Sequence, residues 1–301
     1  MTQRRFGEPL PLGDERFPYS KGLMARALIA AGVAADRAYD LARALEVDLA
    51  GSGERTADLD RLRRVACGVL GEEAGGRVVE RLQRHDDLLA LETPVIVLIG
   101  GTTGTGKSTV AAEVAHRLGI TRVTSTDFIR QTMRAFFPPE LLPVIHHSSF
   151  EAWAGVDGDA PGDPIVDGFL EQSRHVCIGV EAAMRRSLTE GWSMVLEGVH
   201  LVPGMVPTAL DGALVLHVVM QIPSEEAHRT HFHVRDTATS GTRAMAKYLD
   251  RLDDIRRIQR FLVARAGREG VAVVENTNAE RAIGGVIDLV MQLAERERSA
   301  G

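Results

Sequence analysis

Ten residues in the first half of the chain, GGTTGTGKST, combine glycine, hydroxyl and lysine side chains at the spacing that binds phosphate groups. They contain the full G-x-x-x-x-G-K-[ST] pattern, with Lys107 and Ser108 at its end. Glycines let successive backbone N–H groups converge on an anion at a helix N-terminus. Lys107 is expected to reach the β- and γ-phosphates of a nucleoside triphosphate, and the Ser108 hydroxyl is expected to hold Mg²⁺. The predicted ATP contacts are Gly101, Thr102, Thr103, Gly104, Thr105, Gly106, Lys107, Ser108 and Thr109.

Two acidic residues follow predicted strands at the same edge of the sheet. Asp127 comes after the second strand, where a carboxylate can accept or orient the hydroxyl proton in phosphoryl transfer; the alternative is that it caps the next helix. Glu197 ends the strand SMVLE and is predicted to act near Mg²⁺, directly or through water. Arg130, one helical turn beyond Asp127, is expected to clamp an anionic acceptor, and His200 either faces that acceptor or packs beneath it.

The long segment from Pro138 to Pro164 is rich in Pro, Gly, Asp and His, and loops of that length are commonly functional. It contains His146, His147, Ser148 and Ser149, which are predicted to bind the acceptor; the alternative is a polar surface loop.

A helix rich in histidine and arginine follows the fourth predicted strand. Arg229 and Arg235 are expected to close over the transferring phosphoryl group and neutralise developing charge, and are therefore predicted to be catalytic together with Lys107, Asp127 and Glu197. The histidines at 228, 231 and 233 lack the Cys or acidic partner that a zinc site needs, so we expect them to be solvated or to face an anion. Asn276, just after the fifth strand, is placed to touch the nucleotide base, although Asn is also a common turn residue there.

The hydrophobic pattern indicates which elements position these groups. Residues 1–92 show helical spacing throughout and predict a small all-α N-terminal domain, which ends at Thr93-Pro94 because the residue before proline is pushed out of helix. Residues 93–301 alternate strands and helices, the pattern of a parallel sheet covered on both faces. We predict strands at 95–100, 121–125, 193–197, 213–222 and 271–275, with helices at 107–118, 127–136, 164–190, 224–234, 241–268 and 279–296. The fold class is therefore α/β, a P-loop kinase with a five-stranded parallel sheet.

The composition limits the classes of partner that we expect for this protein. The net charge of −6 argues against broad nucleic-acid binding, which needs a basic surface. No apolar run has the length of a membrane span and the N-terminus lacks a signal-peptide core, so we expect a cytoplasmic protein without a membrane partner. The composition leaves the oligomeric state open.

Several motifs together are more specific than the phosphate loop. The segments GGTTGTGKST, STDFIR, HHSSFEAW, LEGVHLVPG, EEAHRTHFHVR and KYLDRLDDIRRIQRFL resemble the 2-phosphoglycerate kinase family, and FPYSKGLMARALIAAG resembles that family's N-terminal module, related to the ATP-cone. The resemblance implies ATP-dependent phosphorylation of 2-phosphoglycerate to 2,3-bisphosphoglycerate and a sheet ordered as in nucleoside-monophosphate-like kinases. It also implies nucleotide roles for Gly101 to Thr109 and acceptor roles for Asp127, Arg130 and His146 to Ser149. The chain departs from the ATP-cone pattern because no lysine precedes Lys21.

The leading hypothesis is thus an ATP- and Mg²⁺-dependent kinase acting on a small anionic phosphorylated hydroxy acid. A nucleoside or polynucleotide 5′-hydroxyl kinase is an alternative, since S-x-D-x-x-R after the second strand also occurs there. A non-catalytic ATP-sensing regulator is a third reading.

Overall fold

The computed structural model describes residues 10–13, 18–89, 91, 93–156, 162–239 and 245–300, without the side chains at 89, 233–239, 245, 246 and 300. The chain divides into two compact units. The first takes in residues 1–92, 116–119 and 287–301, and the second takes in residues 93–115 and 120–286.

Four helices form most of the first unit: α1 (Lys21–Ala30), α2 (Ala35–Ser52), α3 (Leu59–Leu70) and α4 (Glu72–Leu89). The Ser20 hydroxyl caps α1 by accepting a hydrogen bond from the Leu23 N–H. The helices share an apolar core that includes Met24, Leu41, Leu62 and Leu82. Each helix therefore buries the leucine-rich stripe that its sequence spacing predicts.

The second unit is built on five parallel strands: β1 (Val95–Gly101), β2 (Arg122–Ser125), β3 (Met194–Glu197), β4 (Leu214–Gln221) and β5 (Ala272–Glu275). Their order in the sheet is β2-β3-β1-β4-β5. All seven residues of the central strand β1 are buried, which is why its sequence is continuously apolar rather than alternating. The five strands match the predicted ones to within two residues at each end.

The helices that accompany this sheet are α5 (Lys107–Arg117), α6 (Thr126–Phe136), α7 (Pro164–Thr189), α8 (Glu225–Thr239), α9 (Met245–Asp250) and α10 (Leu252–Glu269). The last helix, α11 (Ala279–Ala300), begins in the second unit and belongs to the first unit from residue 287 onward. Helix α7 packs Val176 and Val180 in one core with Ile96 and Leu98 of β1, and α10 packs in a second core with Val219 of β4.

The single helix predicted over 241–268 is wrong, because the described part of that segment forms two helices separated at Arg251. The predicted loop after α6 is also more ordered than its composition indicates, with 3₁₀ turns at Pro143–His146 and Ala152–Gly155. None of the helices in the described part of the chain is long and apolar enough to cross a bilayer.

Candidate active site

The phosphate loop joins β1 to α5 and has the backbone that anion binding requires. Gly101, Gly104 and Gly106 have φ values of 133°, 85° and 80°, a region that other residues rarely adopt. The Lys107 ammonium is buried under the loop and donates a hydrogen bond to the Thr102 carbonyl at 2.7 Å. Fixed donors and one positive charge are thus gathered at the N-terminus of α5, where the helix dipole adds to them.

A pair of oxygen ligands faces the loop from the neighbouring strand. Glu197 ends β3 beside Ile99 of β1 and Ser125 of β2. Its Oε1 accepts a hydrogen bond from the Ser108 hydroxyl at 2.9 Å. A carboxylate and a hydroxyl oxygen at this distance are donors of the kind that Mg²⁺ prefers.

Asp127 lies in the first turn of α6 and does not cap it. The capping group is Ser125, whose hydroxyl accepts a hydrogen bond from the Phe128 N–H at 3.1 Å. The Asp127 carboxylate instead forms an ion pair with Arg130, with 3.3 Å between Oδ1 and Nε. Burial by itself would raise the pKa of Asp127, but nearby positive groups, among them Arg130 and Lys107, outweigh it and hold that pKa below its usual value. Asp127 is therefore ionised at neutral pH.

Arg130 also connects Asp127 to the acceptor segment. The residue is 9% exposed, and its Nη1 donates to the carbonyls of Ile145 and His147, each at 2.9 Å. The same guanidinium therefore fixes the path of the segment and places positive charge beside Asp127.

A buried hydrogen-bond network lies behind these groups and has only one consistent arrangement of hydrogens. The Gln172 side-chain amide donates to the carbonyls of Val144 at 2.6 Å and His147 at 3.0 Å, so its Oε1 faces His200 at 2.9 Å. His200 must then carry its hydrogen on Nε2, which leaves Nδ1 to accept from the Thr126 hydroxyl at 2.8 Å. Burial lowers the pKa of His200 to about 3 and keeps the ring neutral. His200 is fully buried and does not line the cavity beside Asp127, which favours the alternative that it packs beneath the acceptor.

One cavity of about 530 Å³ brings most of the predicted catalytic groups together. It is lined by Thr103, Lys107, Ser108, Asp127, Arg130, Ser148, Ser149 and Glu197 among the predicted residues, and also by Ser125, Phe128, Gln131, Phe150, Gly198, Val199 and Tyr248. The phosphate loop, the oxygens of Ser108 and Glu197, and the ionised Asp127 carboxylate thus share one solvent-accessible space.

Some predicted site residues lie outside this cavity. His146 bonds the Phe137 carbonyl through Nε2 at 2.8 Å, and His147 contributes its carbonyl to the network rather than its ring to the lining. Arg229 pairs with Glu225 of its own helix at 2.8 Å. The predicted closure by Arg235 cannot be placed, since its side chain is outside the described residues.

Two polar residues near the phosphate loop bond its backbone carbonyls. Asn276 donates from Nδ2 to the Thr105 carbonyl at 3.0 Å, and its contact with a nucleotide base stays a prediction. His228 is fully buried rather than solvated, and its Nε2 bonds the Thr103 carbonyl at 2.8 Å.

Two residues of the site, Gln172 and Tyr248, were not predicted from the sequence. Gln172 sits in the middle of α7 among apolar residues, where a polar side chain on the buried stripe is the one available signal. Tyr248 reaches the cavity from α9 and stacks on Phe232 with 5.3 Å between ring centroids. No spacing rule in the sequence relates those two aromatic residues.

The donor chemistry fits a nucleotide and a divalent cation. The Thr102 Oγ1 is buried in the loop without a hydrogen-bond partner among the described residues, which marks a polar group available to a ligand. Lys107 supplies a cation for phosphate, and Ser108 with Glu197 supplies hard oxygen ligands for Mg²⁺.

Comparison with known proteins gives relatives along nearly the whole chain. The 2-phosphoglycerate kinase of Pyrococcus furiosus is 35% identical over 280 residues, which cover 93% of this chain and 91% of the relative. The 2-phosphoglycerate kinase of Methanopyrus kandleri is 35% identical over 286 residues, covering 94% of this chain and 87% of the relative. The crystal structure of a gluconokinase from Sinorhizobium meliloti 1021 aligns at a TM-score of 0.40 with 16% identity, over 69% of this chain and 98% of its own. No family model matches the chain.

Proposed function

The chain belongs to the 2-phosphoglycerate kinase family and is an ATP-dependent phosphotransferase, and we propose that it transfers the γ-phosphoryl group of ATP to the hydroxyl of 2-phosphoglycerate, forming 2,3-bisphosphoglycerate. The observation that carries the proposal is the cavity that joins the phosphate loop to Asp127, Arg130 and the serines of the acceptor segment. It offers an ionised carboxylate for an alcohol and positive charge for an anion within one space.

Asp127 is the group that orients and activates the acceptor hydroxyl. Because its pKa is held low, it is a carboxylate at neutral pH and can accept a hydrogen bond from an alcohol. As the hydroxyl oxygen bonds to the γ-phosphorus, the bond from phosphorus to the bridging oxygen of ADP breaks. The hydroxyl proton passes to Asp127 and from there to solvent.

The charges around the cavity suit an acceptor that is itself an anion. Arg130 lines the space with its guanidinium while its Nη1 holds the acceptor segment, and Ser148 and Ser149 add hydroxyl donors. An acceptor that carries both a phosphate and a carboxylate matches a site of this composition better than a neutral sugar does.

The phosphoryl donor is held by the loop and Lys107, which neutralises charge on the transferring group. Ser108 and Glu197 would hold Mg²⁺, which would offset the negative charge of the phosphate groups. We also propose that residues 1–92 form an N-terminal module and residues 93–301 the kinase domain, with residues 116–119 and 287–301 of that domain belonging to the compact unit of the module.

The test is ADP release with Mg·ATP and 2-phosphoglycerate, run beside 3-phosphoglycerate, glycerate, a 5′-hydroxyl oligonucleotide and no acceptor. We expect stimulation by 2-phosphoglycerate, with the product identified by phosphorus NMR. Lys107→Ala and Asp127→Asn should abolish it, and Asp127→Asn should leave ADP affinity within about twofold, because general-base groups contribute roughly 10²- to 10⁴-fold to rate and little to nucleotide binding.

Glu140→Gln, at an exposed residue that does not line the cavity, is the matched control for loss of one carboxylate. Stimulation only by the oligonucleotide would establish the 5′-hydroxyl kinase alternative. ATP binding without stimulation by any acceptor would refute the proposed acceptor.

A further inference from the structure

We propose that His228 and Asn276 are positioning residues that hold the phosphate loop from its outer side, so that the N–H groups of Gly104 and Gly106 face the phosphates. The inference rests on nucleotide binding at this loop, as proposed above, and is independent of which acceptor the protein uses.

The first support is the geometry of a trans peptide. In such a peptide the C=O and the following N–H point in opposite directions. The Thr103 carbonyl bonds His228 at 2.8 Å, so the N–H of Gly104 points away from His228. The Thr105 carbonyl bonds Asn276 at 3.0 Å, so the N–H of Gly106 points away from Asn276. Two carbonyls that are held outside the loop thus direct two donors inward.

The direction of both hydrogen bonds is unambiguous. A carbonyl oxygen only accepts, so His228 donates through Nε2–H and Asn276 donates through its amide nitrogen. A side chain that only accepts, such as a carboxylate, would repel the same carbonyl.

The second support is the close approach of these side chains to the loop. A Cβ at position 104 would come within 2.8 Å of His228 Nε2, and a Cβ at position 106 would overlap the Asn276 amide nitrogen. Glycine is therefore required at positions 104 and 106 for two reasons: the backbone has a positive φ there, and the His228 and Asn276 side chains leave no room for a Cβ.

The third support is that both side chains are themselves held in place. The His228 ring stacks on Phe232 with 5.2 Å between centroids and 10° between planes, and Phe232 stacks in turn on Tyr248. Asn276 is 4% exposed, and its own N–H bonds the Gln221 carbonyl at the end of β4 at 2.9 Å. Each donor thus comes from a fixed element outside the loop.

The experiment measures the binding of ADP and of inorganic tripolyphosphate to the full chain by calorimetry. The variants are His228→Met, which removes the donor; His228→Gln, which restores an N–H at similar reach; and Asn276→Asp, which replaces the donor by an acceptor at equal volume. His217→Met is the matched control, because His217 is also buried but bonds the Leu201 carbonyl outside the loop.

We expect His228→Met to weaken both ligands on the order of tenfold, the net effect of about one oriented hydrogen bond. Asn276→Asp should weaken both ligands further, because its carboxylate also repels the phosphates. His228→Gln and His217→Met should stay within about threefold of the parent. Tripolyphosphate has no base, so equal losses for the two ligands separate positioning of the loop from contact with adenine.

Loss of ADP affinity in Asn276→Asp with tripolyphosphate affinity unchanged would overturn the inference for Asn276 in favour of a base contact. Unchanged tripolyphosphate affinity in His228→Met, or an equal loss in His217→Met, would overturn it for His228. Should His228→Met not fold, His228→Phe takes its place, because it also removes the donor while keeping a ring against Phe232. A failure of the proposed acceptor leaves these binding results unaffected.

Discussion

Mild acid should destabilise the second unit at pH values where its carboxylates are still ionised. His200, His217 and His228 are 0%, 5% and 0% exposed, and burial lowers their pKa values to about 3, 4 and 4 from an ordinary 6.5. Between the ordinary and the lowered pKa values, these histidines are therefore protonated in the unfolded chain and neutral in the folded chain. Stability is complete above pH 6.5 and is lost as the pH falls below it.

The size of the effect follows from the three pKa differences. At pH 5.5 each histidine is almost fully protonated in the unfolded chain and neutral in the folded one, which costs about 1.4 kcal/mol each relative to pH 7.5. The three together cost about 4 kcal/mol, a large part of the roughly 5–15 kcal/mol that holds a domain folded. The pKa of Asp127 is held below its ordinary value and contributes only at lower pH.

The assay is urea unfolding followed by tryptophan fluorescence at pH 7.5, 6.5 and 5.5. The chain has two tryptophans, Trp153 and Trp192, and both belong to the second unit, so the signal reports on that unit alone. His217→Gln, which keeps an amide donor toward the Leu201 carbonyl, should reduce the loss of stability between pH 7.5 and 5.5 by about one third. A free energy of unfolding that is flat over this range, or an unchanged loss in His217→Gln, would refute the reasoning.

Two further predictions concern the network and the metal ligands. Gln172→Met should lower the free energy of unfolding by about 2–4 kcal/mol, because it leaves His200 Nε2–H and the Val144 carbonyl buried without partners. It should also lower kcat. The control Ser173→Ala removes only a bond to a carbonyl of its own helix and should change both quantities little. Glu197→Gln should raise the Mg²⁺ concentration that gives half-maximal rate by about tenfold or more, because it removes a charged oxygen ligand. The measurement is a Mg²⁺ titration of activity, with Glu275→Gln at the end of β5 as the control. Equal behaviour of the two variants would contradict the role of Glu197 as a Mg²⁺ ligand.

The fold was predictable because its signals are local. An apolar run before a glycine-rich turn predicts β1 and α5, and the alternation of strands with helices predicts the parallel sheet. Asp127 and Glu197 were predictable for a related reason, since parallel strands bring their carboxyl ends to one edge. The end of α9 and the start of α10 around Arg251 were not predictable, because the helical spacing of apolar residues continues across that position.

The roles of buried polar residues were harder to predict because their partners are backbone carbonyls. Nothing in the sequence marks the Thr103 or Thr105 carbonyl as the partner of His228 or Asn276, so both residues were predicted to face ligand or solvent. Gln172 is similar, since its bonds reach carbonyls 25 and 28 positions earlier in the chain. Spacing rules relate side chains to a helix or a strand, and they carry no information on such distant backbone groups.

The order of the strands in the sheet also determines what happens while the chain is being synthesised. Strand β1 pairs with β3 and β4, and the Val95 N–H donates a hydrogen bond to the Ser193 hydroxyl, 98 positions later in the chain. At synthesis rates of about 5–20 residues per second, the stretch from β1 to β3 takes roughly 5–20 seconds to complete. During that time an entirely apolar seven-residue strand has emerged without either of its neighbours. The strand that leads into the phosphate loop is therefore a part of the nascent chain that needs protection from aggregation.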